Sequence, residues 1–262
     1  MSILQEIVRK KKEELSSTKR LTPLAELKAR IRDEKSTVSF QEALKRLPGS
    51  PIRLIAEVKK ASPSKGLIRE NFNVRDIVSI YNKKSVAAIS VLTEERYFGG
   101  RIDYLALARE NTVKPLLRKD FIFDEYQVYE ARAYRADALL LIASVLEKSH
   151  LADLYALAQE LSLDCLVEIH NLKELETALD CNSRIIGINN RNLETMNINL
   201  KTTVSLLKEI PDDKIVISES GYESRRDIDA VSLTRTDAVL IGTAIMKSED
   251  IGAKIDELLG NG

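Results

Sequence analysis

Two glutamates stand inside apolar runs where a charge is costly. Glu57 lies in RLIAEVK (53–59) and Glu168 in CLVEIH (165–170). A carboxylate taken out of water must be paired or hydrogen-bonded. Lys59 follows Glu57 at a spacing of two, which places both on one face of an extended chain. A second lysine, Lys119, closes the run PLLRKD (115–120) together with Asp120. Either glutamate alone could be a charge neutralised by a structural lysine. Two carboxylates and two lysines, all at the ends of apolar runs, are the usual setting for tuned acid–base chemistry.

Other run ends point to an anion. RIIGIN (184–189) leads into Asn189-Asn190-Arg191, KIVIS (214–218) into Ser218-Glu219-Ser220-Gly221, and AVLIG (238–242) into Gly242-Thr243. Glycine lets backbone N–H groups approach a phosphate, and a helix starting at Thr243-Ala244-Ile245-Met246 would aim its positive end there. Each glycine taken singly also fits an ordinary tight turn. The segment KASPSKGLIRENFN (60–73), with Ser62, Pro63, Ser64, Lys65 and Gly66, exceeds the two to six residues usual for such a connection. A solvated turn and a lid or phosphate clamp both fit it.

The elements that must hold these residues alternate regularly. Besides the runs above, AAISVLT (87–93) and ALLLIA (138–143) read as strands, giving eight from residue 50 onward. Several are almost continuously apolar, as expected of parallel strands covered on both faces. Helical periods separate them; in LADLYALAQEL (151–161), Leu151, Leu154, Tyr155, Ala158 and Leu161 share one face. Eight strand–helix units specify a doubly wound sheet or a closed barrel. No G-x-G-x-x-G follows the first strand, which disfavours dinucleotide binding. The reading is an α/β chain: one (β/α)8 barrel spanning 1–262 as a single domain, with residues 1–50 as a helical N-terminal extension. Helices are predicted at about 3–17, 22–33 and 38–46, either covering barrel surface or helping to close the active site. In such a barrel the chemistry sits at the C-terminal strand ends, with phosphate after strands 7 and 8. The marked residues occupy those positions.

Composition narrows the partners. Lys+Arg and Asp+Glu number 40 each, a balance that argues against nucleic acid but leaves room for a small phosphorylated molecule. Cys165 and Cys181 have no metal-type spacing, and His150 and His170 are too few for a histidine-rich metal site. No metal is expected. The N-terminus, MSILQEIVRKKKEELSS, lacks an apolar signal core, and no run approaches the length of a membrane span. The expectation is a cytoplasmic protein with no membrane contact; nothing in the sequence speaks to protein partners.

Seven segments, from IAEVKKASPSKG (55–66) and ISVLTEERYFGG (89–100) through LLRKDFIFDEYQVYEARAYRADALLLI (116–142), LVEIHN (166–171) and IGINNRNL (186–193) to ISESG (217–221) and VLIGTAIM (239–246), resemble indole-3-glycerol-phosphate synthases. They occur in family order, and the resemblance runs from the N-terminal helices almost to the C-terminus. It implies a lyase of tryptophan biosynthesis that converts 1-(2-carboxyphenylamino)-1-deoxyribulose 5-phosphate to indole-3-glycerol phosphate, carbon dioxide and water. By the resemblance, Glu57, Lys59, Lys119, Glu168, Asn189 and Ser220 match the catalytic set. Arg191 matches an arginine near the substrate, and Ser62, Gly221, Gly242 and Thr243 match phosphate positions. Phe98 and Phe121 would line the aromatic ring's pocket. Many relatives have Ser or Thr where this chain has Asn190, a departure expected to be harmless because Asn189 and Arg191 remain.

The implied chemistry needs these residue types. Ring closure requires an ammonium, for which Lys119 is the candidate, to polarise the ribulose carbonyl. Loss of carbon dioxide restores the aromatic ring, so no pyridoxal or thiamine cofactor is required. Dehydration needs an acid and a base, drawn from Glu57, Lys59 and Glu168. A lysine working near neutral pH would need its pKa lowered by burial or neighbouring cations. Two other readings compete. Phosphoribosylanthranilate isomerase would want a Cys/Asp pair at strand ends 1 and 5, where this chain has glutamates. A non-catalytic phosphate-binding barrel would not need the ionisable set.

Overall fold

The apolar runs become eight parallel strands: β1 (Arg53–Val58), β2 (Ala88–Leu92), β3 (Leu116–Lys119), β4 (Ala138–Ile142), β5 (Asp164–Ile169), β6 (Ile185–Asn189), β7 (Ile215–Glu219) and β8 (Ala238–Ile241). Each pairs with its successor, and β8 returns to β1, so the sheet closes as a barrel. The computed structural model describes residues 3–193 and 195–261. Predicted and observed strands differ by at most one residue at each end.

Strand parity decides which side chains can meet. Ile55, Ala88, Leu117, Leu140, Leu166, Ile185, Ile217 and Leu240 fill the barrel interior. Their neighbours, such as Leu54, Ile89, Leu116, Leu139, Val167, Ile186, Val216 and Val239, pack outward against the helices. With a side-chain period of two, Glu57, Lys119, Glu168, Asn189 and Glu219 follow the inward set to the C-terminal mouth. Arg118 and Asp120, one residue out of phase, belong to the outer layer.

The surrounding helices start where side chains can take up free N–H groups. Asn73, Asp124, Asn171 and Asp250 each cap a helix, and Ser224 with Asp227 forms a capping box. The helix Lys148–Glu160 buries Leu151, Leu154 and Ala158, while Tyr155 and Leu161 of the predicted face are half-buried.

The N-terminal extension forms α1 (Ile3–Leu21), α2 (Leu24–Arg32) and α3 (Phe40–Leu44). Phe40 and Leu44 are fully buried in the interior cluster, each worth about 1.5–3 kcal/mol of burial. The carboxylates of Asp137, Asp164 and Asp237, just before or at the starts of β4, β5 and β8, accept the backbone N–H of Val38, Gln41 and Arg46. α3 therefore plugs the N-terminal end of the barrel. α1 crosses the opposite end: Lys11 reaches the buried Asp120 carboxylate at 2.8 Å, Lys19 meets Asp124 and Glu14 meets Arg96. The extension thus packs at both ends of the barrel, α3 at the N-terminal end and α1 at the C-terminal end. Among the described residues, no helix is long and apolar enough to cross a membrane.

Candidate active site

At the C-terminal mouth the inward residues surround a cavity of about 470 Å³. Glu57, Lys59, Lys119, Glu168, Asn189 and Ser220 line it, as do Ser62, Phe98, Phe121, Arg191, Gly221, Gly242 and Thr243. All thirteen sequence-marked positions thus meet around one space, although they come from loops and strands spread over the chain.

Two ion-paired groups divide the floor. At the end of β1, Lys59 Nζ stands 2.6 Å from Glu57 Oε1, the consequence of their spacing of two. Across the barrel, Lys119 Nζ donates to Glu168 Oε2 at 2.9 Å and to Glu219 Oε2 at 2.5 Å. Asn189 Nδ2 donates to the other Glu168 oxygen at 3.1 Å. Glu219 is the residue that sequence reasoning left out of the site. The signal was available: in IVISE it shares parity with Ile215 and Ile217, whereas Ser218 points outward to Asn190, Thr203 and Tyr222.

Burial and neighbouring charge pull the carboxylates apart. Burial alone would raise Glu168, but Lys119, His170 and Asn189 outweigh it and hold its pKa below the usual range. Glu219 is also raised by burial, and the nearby charges of Glu168 and Glu57 resist its ionisation, so it is pushed up to about 7 despite Lys119. The two share one lysine and titrate as a pair, with Glu219 taking the first proton. For Lys119, burial disfavours the charged form, yet Glu168, Glu219 and Glu57 together leave its pKa above the usual lysine value. The lowering that a lysine would need in order to act near neutral pH is not found at Lys119, because the carboxylates of Glu168, Glu219 and Glu57 face its ammonium. Lys119 stands in the resting site as an ammonium donor to both carboxylates.

Two glycines make room for these carboxylates. A Cβ on Gly187 of β6 would lie 2.3 Å from Glu219 Oε1, and one on Gly242 would lie 2.3 Å from Glu57 Oε1. Gly242 caps the short helix Thr243–Lys247, so it serves the seat of Glu57 as well as any anion at that turn. Ser220 and Gly221 both have left-handed backbone, with φ of +68° and +97°. A Cβ on Gly221 would also strike Ile198 Cγ2 at 2.7 Å. The buried Asn190 amide fixes this turn by donating to the carbonyls of Glu219 and Ser220 and to Ser218 Oγ. Asn190 is therefore a strut behind the site.

The segment 60–73 folds back as a hairpin, Ala61–Ser62 against Gly66–Leu67, and Ser62 through Lys65 stand on the cavity rim. The Ser62 hydroxyl is buried without a protein partner. Arg69 ties the hairpin's exit to the carbonyls of Met246 and Ser248, at the far end of the short helix. Phe98 and Phe121 pack with ring centroids 6.2 Å apart, and Ile3, Leu4 and Ile7 of α1 add an apolar wall. Arg191 is half-buried at the rim, and its guanidinium donates to the carbonyl of Met196. Among the described residues, no group of three or more His, Cys, Asp or Glu side chains is disposed to hold a metal ion.

The arrangement offers a cationic donor fixed by two carboxylates, a second lysine–carboxylate pair, glycine turns suited to an anion and an apolar wall suited to a flat ring. Comparison with known proteins agrees with it. Low-identity structural likenesses establish the fold: 3-hexulose-6-phosphate synthase from Salmonella typhimurium superposes with TM-score 0.64 at 13% identity, covering 80% of this chain and 97% of that one. A mutant tryptophan synthase alpha-subunit from Pyrococcus furiosus gives 0.62 at 15% identity, covering 79% of this chain and 98% of that one. Curated relatives named indole-3-glycerol phosphate synthase are 49% identical in Dehalococcoides mccartyi, over 98% of this chain and 100% of the relative, and 42% identical in Paracidovorax citrulli, over 98% of each. The family model described as indole-3-glycerol phosphate synthase matches residues 4–258, and the chain belongs to that family.

Proposed function

We propose that this chain catalyses ring closure, decarboxylation and dehydration of 1-(2-carboxyphenylamino)-1-deoxyribulose 5-phosphate to indole-3-glycerol phosphate, acting as a carboxy-lyase in the cytoplasm. The observation that carries the reading is the convergence of two lysine–carboxylate groups, glycine turns and an apolar wall on one cavity, in a chain of this family. The ribulose phosphate binds toward Ser62, Gly221, Gly242 and Thr243, and the carboxyphenyl ring lies toward Phe98, Phe121 and Ile7.

Lys119 passes a proton to the ribulose carbonyl oxygen as the ring carbon bearing the carboxylate attacks the carbonyl carbon. That oxygen becomes the hydroxyl lost in dehydration, and solvent returns the proton to the lysine between turnovers. The ammonium is held in place by Glu168 and Glu219 before reaction, so little reorganisation accompanies charge development. Attack leaves positive charge delocalised over the ring and its nitrogen, which the ionised Glu168 stabilises. Carbon dioxide leaves with its bonding electrons returned to the ring, so aromaticity drives the step and no separate electron sink is needed. In dehydration the hydroxyl leaves with a proton from Lys59, and a carboxylate removes the proton that completes the indole. Arg191 and Asn189 orient the substrate and Glu168. α1 and the hairpin exclude water that would intercept the cation.

The test is direct. Purified protein mixed with the carboxyphenylamino-ribulose phosphate, without added metal or cofactor, should generate indole fluorescence and one equivalent of carbon dioxide. Absence of both products from folded protein would overturn the reading. Conversion of phosphoribosylanthranilate instead would favour the isomerase.

A further inference from the structure

His170 lies two residues beyond Glu168 and is half-buried between two carboxylates. Its Nδ1 is 2.9 Å from Glu174 Oε2, whose oxygen also accepts the His170 backbone N–H at 2.8 Å. Its Nε2 faces Glu168 Oε1 at 3.5 Å and has no closer partner. Glu174 is itself anchored, since its backbone N–H and carboxylate exchange hydrogen bonds with Asn171 at the start of the helix Leu172–Asp180.

A neutral imidazole has one N–H and one lone pair. With a carboxylate at each nitrogen, the neutral ring would have to turn a lone pair toward one of them. Only the imidazolium presents N–H to both, as a hydrogen bond to Glu174 and as an ion pair at 3.5 Å to Glu168. We propose that His170 is a positioning residue: as an imidazolium gripped by Glu174, it fixes Glu168 Oε1 and keeps that carboxylate ionised. The inference rests on the role given to Glu168 above.

The groups facing the ring are Glu168 from β5, Glu174 from its own helix and, at longer range, Glu219 from β7, with Lys119 standing beyond Glu168. Burial opposes the charge on His170, but Glu174 and Glu168 outweigh it and raise the ring above the ordinary histidine value. Asn189 and Lys119 already hold two directions around Glu168; His170 closes a third. A charged ring is present below its pKa and lost as pH rises through it, so kcat should decline on the alkaline side.

The chain has two histidines, and His150 is exposed, so ¹⁵N-labelled imidazole spectra contain an internal reference. His170, assigned by His170→Gln, should titrate above the ordinary histidine value. In Glu168→Gln its midpoint should fall by about one pH unit or more, the effect of losing a close opposite charge; in Glu174→Gln it should fall as well. His170→Gln should lower kcat about tenfold, as expected for a displaced catalytic group, with KM within about threefold. It should also lose the alkaline decline that the parent shows. A midpoint unchanged in Glu168→Gln, or a His170→Gln enzyme with parental kcat and pH profile, overturns the inference. The spectra read the parent fold directly, so the first arm stands even if His170→Gln folds poorly. A fully active Glu168→Gln would instead refute the proposed role of Glu168; an inactive Glu168→Gln beside a silent His170→Gln would refute only the role of His170.

Discussion

Replacing Lys119 by alanine removes both the donor to the substrate carbonyl and the cation shared by Glu168 and Glu219. The catalytic loss should fall in the span usual for a positioned acid, about 10² to 10⁴ in kcat. The structure adds a stability effect with a definite pH dependence. Without the ammonium, two buried carboxylates face each other, and breaking a buried pair costs about 3–5 kcal/mol when the orphaned charge persists. Glu219 is already raised to about 7, and losing Lys119 raises it further, so the variant folds with that carboxyl protonated at low pH. The folded chain then binds more protons than the unfolded one, and stability must fall as pH rises above the unfolded carboxyl value. Lys119→Ala should therefore lose melting temperature at both pH values, because Glu168 loses its partner at either, and should lose distinctly more at pH 8 than near pH 5.5. For a chain of this size the gap at pH 8 corresponds to about 6–12 °C for 3 kcal/mol. Indole fluorescence gives kcat, and thermal unfolding at the two pH values gives the stability difference. A kcat within about threefold of the parent would remove Lys119 from the mechanism; equal melting losses at both pH values would refute the coupled-carboxylate argument.

Glu219→Gln removes a carboxylate that resists ionisation, so at pH 8 its melting temperature should equal or exceed the parent's while kcat drops about tenfold or more; a less stable variant would contradict the raised pKa. Gly187→Ala places a Cβ where Glu219 Oε1 sits and should lower kcat by about 10² through displacement of that carboxylate, with KM little changed; an unperturbed kcat would show that Glu219 need not occupy its present seat. Gly242→Ala crowds Glu57 as well as the anion turn, so it should raise KM and lower kcat together, whereas a pure KM effect would mean that Glu57 is not involved. Removing residues 1–22 deletes α1 while sparing α2 and α3, and should raise KM at least tenfold with a folded barrel by circular dichroism; unchanged kinetics would show that α1 only covers surface.

How much of this was legible in the sequence depends on which physical signal carried each feature. The strands were readable because burial on both faces leaves near-continuous apolar runs, and their order placed Glu57, Lys119 and Glu168 at one mouth before any coordinates. Glu219 was not singled out, because ISESG reads first as a turn; its role follows from parity with Ile215 and Ile217, which needs the strand to extend through residue 219. The electrostatics of Lys119 were hidden for a related reason. Spacing shows which side chains share a strand face, but the field at Lys119 comes from β5 and β7, across the barrel. Glycine was read as an anion contact because that use has a motif, whereas the volume cleared for Glu57 by Gly242 and for Glu219 by Gly187 has none. The N-terminal extension offered two meanings, and the residues themselves explain why. Phe40 and Leu44 look like any amphipathic pair until Ile55, Ala88 and Leu117 surround them, and Lys11 looks like any surface lysine until the buried Asp120 lies within reach. In each case the sequence carries the local preference, and the partner that converts it into a site arrives only when the barrel closes.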